Sequence, residues 1–383
     1  MKGQIIYFFS PVFWNSLFQR HQQLMVRMAR ENTVIFIEPF TALPEAAVRR
    51  NPVRPLRRIN RGLVVMSSLV MVRSTDYPVV GKWHLEALVS RARRVAGELN
   101  PGGREILWLA RHDCSEVRKY LNAALVCYDC ADEHWAFSVA DRNDTFDGPG
   151  RRGKVIALEE MNTLRQADLV FAVSETLARR IRLVNPSVHV VGNGADKSIF
   201  DYRRVKSARM NCGIRGGIGF TGAVFEWVDL DLLAEAAEEY PSYPFLIAGP
   251  VRQSLERRGM PPNICFTGPI PYSRLPEFLG SLDLALVPFR VNHLTRASDP
   301  IKVYEYLSMG LPVISTPIYS GNSGTMPVTI GKNREHFIYS IASLLEKGSG
   351  EEEALMMDER RGWVADWDQR FRQIESIIAE ALS

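Results

Sequence analysis

The 383-residue sequence predicts an α/β protein made of two consecutive doubly wound domains. Three observations lead there. Short runs rich in β-branched and aromatic residues are apolar throughout rather than alternating, helical stretches separate them, and the whole pattern restarts after a polar, basic connection at 202–211. Strands that are apolar on both faces and alternate with helices form parallel sheets covered on both sides.

In the first half, strands are expected at 4–10, 33–38, 63–71, 105–110, 124–129, 168–174 and 188–192, with helices over 17–31, 80–99, 152–166 and 175–184. In the second half, strands at 217–221, 243–248, 264–267, 284–288 and 311–316 alternate with helices over 227–239, 272–282 and 299–309. A helix over 333–347 and a polar stretch at 350–362 follow. The last helix, 367–382, carries Phe371, Ile374, Ile377, Ile378 and Leu382 at helical spacing, so one face must pack on something. The expected domains are 1–200 and 201–362, with 363–383 as a C-terminal helix. Open parallel sheets bind ligands beyond the carboxyl ends of their strands, so two such domains facing each other would join two substrates.

Composition narrows the function. A net charge of +4 does not suit a nucleic-acid binder. The cations are nevertheless uneven: Arg49, Arg50, Arg54, Arg57, Arg58 and Arg61 crowd one stretch, and Arg91, Arg93 and Arg94 another. These are either solvated faces or a patch for anionic lipid or an anionic acceptor. Five scattered cysteines suit a reducing compartment better than a disulfide framework. No run approaches the ~20 apolar residues of a membrane-spanning helix. The apolar start is interrupted by Pro11, Asn15 and Arg20 and lacks a small-residue cleavage site, which makes a poor signal peptide. The expected location is cytoplasmic, with at most peripheral contact at the inner face of a membrane.

The most informative segment runs from Ser298 to Ile314. Asp299 can cap a helix, Pro300 fits its first position, and Gly310 ends it before a buried strand. Lys302 and Glu305 are three apart and share a face of the first turns. A cation at the positive end of a helix is unfavourable unless something anionic sits there. A nucleotide diphosphate would supply that charge, and Glu305 could accept hydrogen bonds from a ribose diol. The plain alternative is a surface ion pair. A second segment, Gly216 to Trp227, ends a strand at Gly222 shortly before a helix, which is either a tight turn or a backbone cradle for phosphate. Its glycines do not form the dinucleotide fingerprint, because Gly216, Gly217 and Gly219 precede or lie within the strand.

Lys302-x-x-Glu305-Tyr306-Leu307-x-x-Gly310-x-Pro312-Val313 resembles the donor-binding signature of retaining GT-B glycosyltransferases of family 4, the glycosyl transferases group 1. Asn193-Gly194-x-Asp196-x-x-x-Phe200 is similar to the hinge segment of that family. Phe220-Thr221-Gly222, Ile247-Ala248-Gly249 and Phe266-Thr267-Gly268 fall where the family places three strand ends, and Leu282 to Pro288 resembles its next strand. The resemblance covers nearly all of the C-terminal half and, in the N-terminal half, is strong from about Ala167 to Phe200. It implies a GT-B fold of two facing Rossmann-like domains, with the last helix crossing back onto the first. It implies donor contacts from Lys302 to phosphate, Glu305 to ribose, the Gly222 loop to the diphosphate or acceptor side, and the segment near Ile270 to the base. One position departs: the family's second glutamate, eight residues before Glu305, is Ala297, and Asp299 is the nearby carboxylate.

The N-terminal half offers further candidates at the expected strand ends. His112 and Asp113 follow the strand at 105–110, and the family often has a histidine near the transferred sugar there; a plain surface histidine is the other reading. Arg20, His21 and Gln22 open the first helix, where they would meet acceptor or donor phosphate or simply face solvent. Asp129, Asp132, Glu133 and His134 cluster after another strand. Cys127-x-x-Cys130, with His134 and Cys114, is the one group worth testing for zinc, but tetrahedral zinc needs four ligands and only one such pair exists, so no metal is expected.

The sequence therefore predicts a hexosyltransferase-type enzyme without a resident cofactor. Its co-substrate would be a UDP- or GDP-linked sugar and its acceptor a saccharide or lipid-linked saccharide, as in envelope polysaccharide or glycolipid synthesis. The alternatives are a nucleotide-sugar epimerase of the same fold and a non-catalytic sugar-nucleotide-binding or scaffold protein.

Overall fold

The computed structural model describes all residues except 43–54, 68, 71–77, 139–148, 206–215, 253–258, 319–325 and 347–350. Arg49, Arg50, Arg54 and Cys212 therefore lie outside the described residues.

The chain forms two compact units. The first comprises Met1–Trp135, Pro149–Val191 and Asp368–Ser383, and the second is chiefly Gly192–Trp367. Unit 1 is built on an eight-stranded sheet in the order β10-β9-β8-β7-β1-β2-β5-β4. Its strands are β1 (Ile5–Phe9), β2 (Thr33–Ile37), β4 (Leu56–Arg58), β5 (Leu63–Met66), β7 (Glu105–Leu109), β8 (Leu125–Cys130), β9 (Leu169–Ala172) and β10 (Val188–Val190). Two short strands, β3 (Thr41–Ala42) and β6 (Leu69–Val70), pair separately. All pairings in the large sheet are parallel except β4 with β5. Every residue of β1, β2 and β8 is buried, as a sheet covered on both faces requires. Aromatic rings fill the centre: Phe8 stacks on Phe36 at 5.1 Å and Trp108 on Phe171 at 5.6 Å.

The helices of unit 1 are α1 (Arg20–Met28), α2 (Pro78–Leu99), α3 (Arg151–Gln166) and α4 (Glu175–Ile181), the last capped by Ser174. Right-handed crossovers put α1 on one face of the sheet and α2, α3 and α4 on the other. In keeping with this, α2 and α3 both pack against the short 3-10 turn Ser115–Tyr120.

Unit 2 has a six-stranded parallel sheet in the order β13-β12-β11-β14-β15-β16. The strands are β11 (Ile218–Thr221), β12 (Phe245–Ala248), β13 (Ile264–Gly268), β14 (Leu284–Val287), β15 (Val313–Ser315) and β16 (Thr329–Ile330). Its helices are α5 (Leu230–Glu239), α6 (Leu275–Gly280), α7 (His293–Ala297), α8 (Ile301–Ser308), α9 (Arg334–Leu345) and α10 (Glu351–Trp363). Asp229, Asn292 and Asn333 cap α5, α7 and α9. The polar stretch 350–362 is thus largely helical. The Asn193–Phe200 segment, expected at the end of the first domain, packs in unit 2. There Ala195 pairs with Asp366, and a Cβ on Gly194 would sit 2.7 Å from the Ala365 carbonyl, so only glycine fits.

The last helix, α11 (Trp367–Leu382), lies from Asp368 onward in unit 1. Its Ile374 and Ile378 are buried, and Asp368 pairs with Arg27 of α1 at 2.5 Å. No helix among the described residues is long and apolar enough to cross a membrane.

Candidate functional site

In unit 2 the ends of three adjacent strands meet through glycines. Gly222 N–H donates to the Ala248 carbonyl at 2.8 Å, and Gly249 N–H donates to the Gly268 carbonyl at 2.9 Å. All three glycines have positive φ. A Cβ on Gly249 would lie 1.9 Å from the Gly222 carbonyl oxygen, so the two loops are packed backbone to backbone. Ile270 follows Gly268 and is partly exposed.

Helix α8 delivers Lys302 to this point. A Cβ on Gly222 would come within 2.9 Å of Lys302 Cε. The Lys302 ammonium stands 4.8 Å from the Phe289 ring centre and 5.3 Å from that of Phe220. Neither the Lys302 nor the Glu305 side chain forms an ion pair or hydrogen bond among the described residues. Burial pushes the Lys302 ammonium down to about 8, although Glu305 pulls the other way, and pushes the Glu305 carboxyl up to about 7 against the pull of Lys302. The surroundings of both groups are thus too dry to favour charge.

The helix itself is held firmly. Tyr306 Oη accepts from Thr221 N–H at 2.7 Å, tying α8 to the end of β11. Gly310, at φ +73°, closes the C-terminus, and Leu311 N–H returns to the Tyr306 carbonyl. At the N-terminus the expected cap differs. Pro300 is the capping residue, no side chain caps the helix, and the first turn holds no acid. Asp299 instead accepts from the Asn193 backbone N–H at 2.6 Å and from Tyr304 Oη at 2.9 and 3.1 Å. Tyr304, on the first turns of the helix, reaches back to the carboxylate and draws it off the helix axis. Ala297, at the glutamate position of the resembled signature, is 1% exposed within the core.

The candidates of unit 1 divide in two. Arg20 is neither solvent-facing nor available to phosphate. Its side chain is 3% exposed, and its guanidinium grips the fully buried Asp129 through Nε (3.0 and 3.1 Å) and Nη2 (2.9 Å). Nη1 donates to the Val191 carbonyl at 2.9 Å. This crosslink fixes the start of α1 to the end of β8. His21, also buried, lies 5.8 Å from the Phe8 ring, and burial pulls its imidazole down to about 4. It is neutral at ordinary pH, and its Nδ1 has no hydrogen-bond partner.

Two other candidates come together. The rings of His112 and His134 are 5.0 Å apart. His112 Nε2 lies 3.5 Å from Glu159, and burial pulls His134 down to about 4 and leaves its Nε2 without a hydrogen-bond partner. Asp132, two residues earlier, is pushed up to about 7 by burial alone. Sequence reading missed the partner of this cluster, Arg180 on α4, which lies 2.9 Å from the buried Glu160 and 3.2 Å from Glu133.

The zinc question resolves differently from the sequence motif. Cys127 and Cys130 are three apart on strand β8, so their side chains face opposite sides of the sheet and cannot chelate together. The group that does converge is Cys130, His134 and Glu160, with ligand atoms within 4.8 Å of one another. Its charge is already answered by the Arg180 guanidinium beside Glu160, while Tyr128 Oη donates to the other carboxylate oxygen at 3.0 Å. These residues do not fit a metal ion without displacing that guanidinium.

Comparison with known proteins places this geometry. Residues 215–347 match the family model described as glycosyl transferases group 1. A protein of Bacillus subtilis, provisionally assigned as a teichuronic acid biosynthesis glycosyltransferase, is 27% identical over 263 residues, which is 65% of each chain. The present chain thus aligns with about two-thirds of that relative's length. Among solved structures, sucrose-phosphate synthase from Thermosynechococcus elongatus matches with a TM-score of 0.74 at 14% identity, covering 98% of both chains. The Anabaena protein HepE in complex with UDP and glucose matches with a TM-score of 0.66 at 13% identity, over 98% of this chain and 99% of that one. A trehalose 6-phosphate synthase from Burkholderia multivorans matches over the full length of both chains, with a TM-score of 0.65 at 7% identity. At such identities the structural likeness establishes the fold. The chain has the two-unit α/β fold of GT-B glycosyltransferases, and its residues 215–347 match the family model of the glycosyl transferases group 1.

Proposed function

We propose that the protein transfers a sugar from a UDP- or GDP-linked donor to an acceptor hydroxyl with retention, in the synthesis of an envelope polysaccharide or glycolipid at the inner face of a membrane. The observation that carries this reading is Lys302: a cation at the uncapped N-terminus of α8, packed on Gly222, with aromatic rings rather than acids around its ammonium. That arrangement costs energy in the free protein and is repaid by a diphosphate. Glu305, one turn on, accepts from the ribose. Ile270 lies beside the base through its backbone. Asp299 supports the donor through the shape of the helix start.

The departing diphosphate is stabilised by Lys302, backbone amides and the helix N-terminus, which is electrostatic preorganisation without a metal. His112 serves the transferred sugar, and Asp132, His134 and His21, all desolvated by burial, serve the acceptor. The UDP in the HepE complex and the assignment of the Bacillus relative support this choice of donor and pathway.

The test is a thermal-shift screen against UDP- and GDP-sugars, followed by product analysis with the labelled donor that stabilises best. Transfer of label to an acceptor is expected and should persist in EDTA. Epimerised donor, or binding with neither product, would overturn the reading. Loss of transfer in EDTA with rescue by a divalent ion would overturn its metal-free part.

A further inference from the structure

Helix α8 carries Lys302 in its first turn, and its opposite end is held by a distant part of unit 2. The carbonyl of Ser308, the last residue of α8, has no backbone donor one turn on, because residue 312 is proline and lacks an N–H. Ser308 is fully buried, so that carbonyl needs a partner from elsewhere. Arg361 of α10 supplies it, donating from Nη1 at 2.9 Å. Its neighbour Arg360 donates to the carbonyl of Gly310, the residue that closes the helix, at 3.0 Å. Two guanidinium groups thus stand at the negative end of the α8 dipole, where cations are favoured.

Arg361 reaches further than a cap. The same Nη1 donates to the Phe200 carbonyl at 2.6 Å, while Nη2 donates to the Lys197 carbonyl at 2.9 Å and lies 3.5 Å from Asp201. Ser308 Oγ also donates to the Phe200 carbonyl, at 2.8 Å. The stretch from Asn193 to Phe200 is therefore bonded at both ends of α8, to Asp299 just before the helix and to Ser308 at its close. The second tie is made together with α10. The Arg361 side chain is 12% exposed, so water competes little for its bonds. Helix α10 is itself pressed on α8, since a Cβ on Gly310 would lie 2.7 Å from Met357 Cβ, and Tyr202 Oη holds Asp358 at 2.9 Å.

The far end of the helix has no slack to absorb a shift. Lys302 Cε is packed on Gly222 so closely that a single added carbon would meet it at 2.9 Å. Lys302 and Ser308 are six residues apart, roughly 9 Å along a rigid rod. The bond between Tyr306 and Thr221 lies between them and acts as a pivot. A tilt released at Ser308 therefore moves Lys302.

We propose that Arg361 is a positioning residue for the donor diphosphate. It acts through the helix: by pinning the C-terminus of α8 to the Lys197 and Phe200 carbonyls, it sets where Lys302 stands over the Gly222 loop. The inference rests on the donor reading of Lys302 and adds to that site a residue which meets neither nucleotide nor sugar.

The experiment is calorimetry of UDP binding, or of GDP where the unaltered protein prefers it, on four full-length chains: unaltered, Arg361→Met, Lys302→Met and the double variant. Arg361→Met should weaken binding several-fold to about tenfold, as expected for groups coupled through one element. In the Lys302→Met background the same change should weaken it no further, because the group through which it acts is gone. Lost carbonyl bonds lower the melting temperature in either case, so stability does not decide the matter and the coupling does. If Arg361→Met does not fold, Arg361→Lys carries the same comparison, since it keeps the cation but has no fork to span Ser308 and Lys197. Unchanged affinity in the Arg361 variant, or losses that multiply in the double variant, would overturn the inference and leave the donor reading standing. An unaltered protein that binds neither UDP nor GDP would overturn both.

Discussion

At the strand ends of unit 1 the charges answer one another: Arg20 with Asp129, Arg111 with Asp113, Arg180 with Glu160 and Glu133. At the strand ends of unit 2, Lys302 stands against two aromatic rings, and the acid one turn away does not reach it. The two regions occupy comparable places in their sheets. In unit 1 the arginines are matched to carboxylates, and only Asp132 is raised by burial alone. In unit 2 Lys302 has no acid within ion-pair distance among the described residues. A charge matched within the chain contributes to the fold and asks for nothing more. A cation left unmatched on a rigid helix is what the proposed donor diphosphate would meet. Ionisable residues at the right end of a sheet are therefore poor evidence of function until their partners are known.

The sharpest way to break this comparison is Arg20→Leu. Removing one partner of a buried pair strands the other, so stability should fall by about 3–5 kcal/mol. Denaturant unfolding measures the loss, and UDP affinity of the folded fraction should be unchanged. Unaltered stability would mean that the unit 1 charges are not the structural set described.

Lys302→Met should do the reverse. Turnover should drop by about 10²-fold or more, as for other preorganised groups. The melting temperature should hold or rise slightly, since a cation opposing the dipole is gone. Earlier melting with retained activity per folded molecule would reduce Lys302 to an ordinary structural residue. Glu305→Ala, expected to cost about 1.5–3 kcal/mol of nucleotide affinity by calorimetry, tests whether the acid completes the same site. Wild-type affinity would remove it from the assignment.

The smallest effect sharpens the contrast through pH. With Lys302 near 8 and Glu305 near 7, nucleotide affinity should peak between about pH 7 and 8. Above it Lys302 loses its proton and below it Glu305 gains one. Stability runs the other way. Between about 8 and 10.5 the folded chain holds fewer protons at Lys302 than the unfolded chain, so that contribution improves as pH rises. Between 4.5 and about 7 the folded chain holds more protons at Glu305, so that contribution is lost as pH rises. The pair is thus most costly to the fold in the window where it binds best. A flat affinity profile in the unaltered protein would show that neither group touches the nucleotide.

Much of this was legible before any coordinates. The continuous apolar runs marked the main strands of both sheets, and Gly310 marked the end of α8, because burial on both faces and a left-handed helix stop leave plain chemical traces. Strand β4 was not legible, being three residues on an edge with little buried surface. Helix α10 was hidden because it is mostly charged and buries little beyond Met357. Asp299 looked like a cap, since nothing local reveals that Tyr304 and Asn193 claim its carboxylate. Arg20 and Asp129 are 109 residues apart, and Arg180 and Glu133 meet only when α4 folds over the strand ends.

What the sequence determined by itself was therefore periodic or local: the two sheets, the glycines at strand ends, and a lysine set where a helix dipole repels it. What the tertiary structure decided was which charges are satisfied. Pairing energy depends on distances between segments remote in the chain, and burial decides how much each unmet charge costs. The same arginine can be ligand or crosslink in sequence, and Asp129 made Arg20 the second.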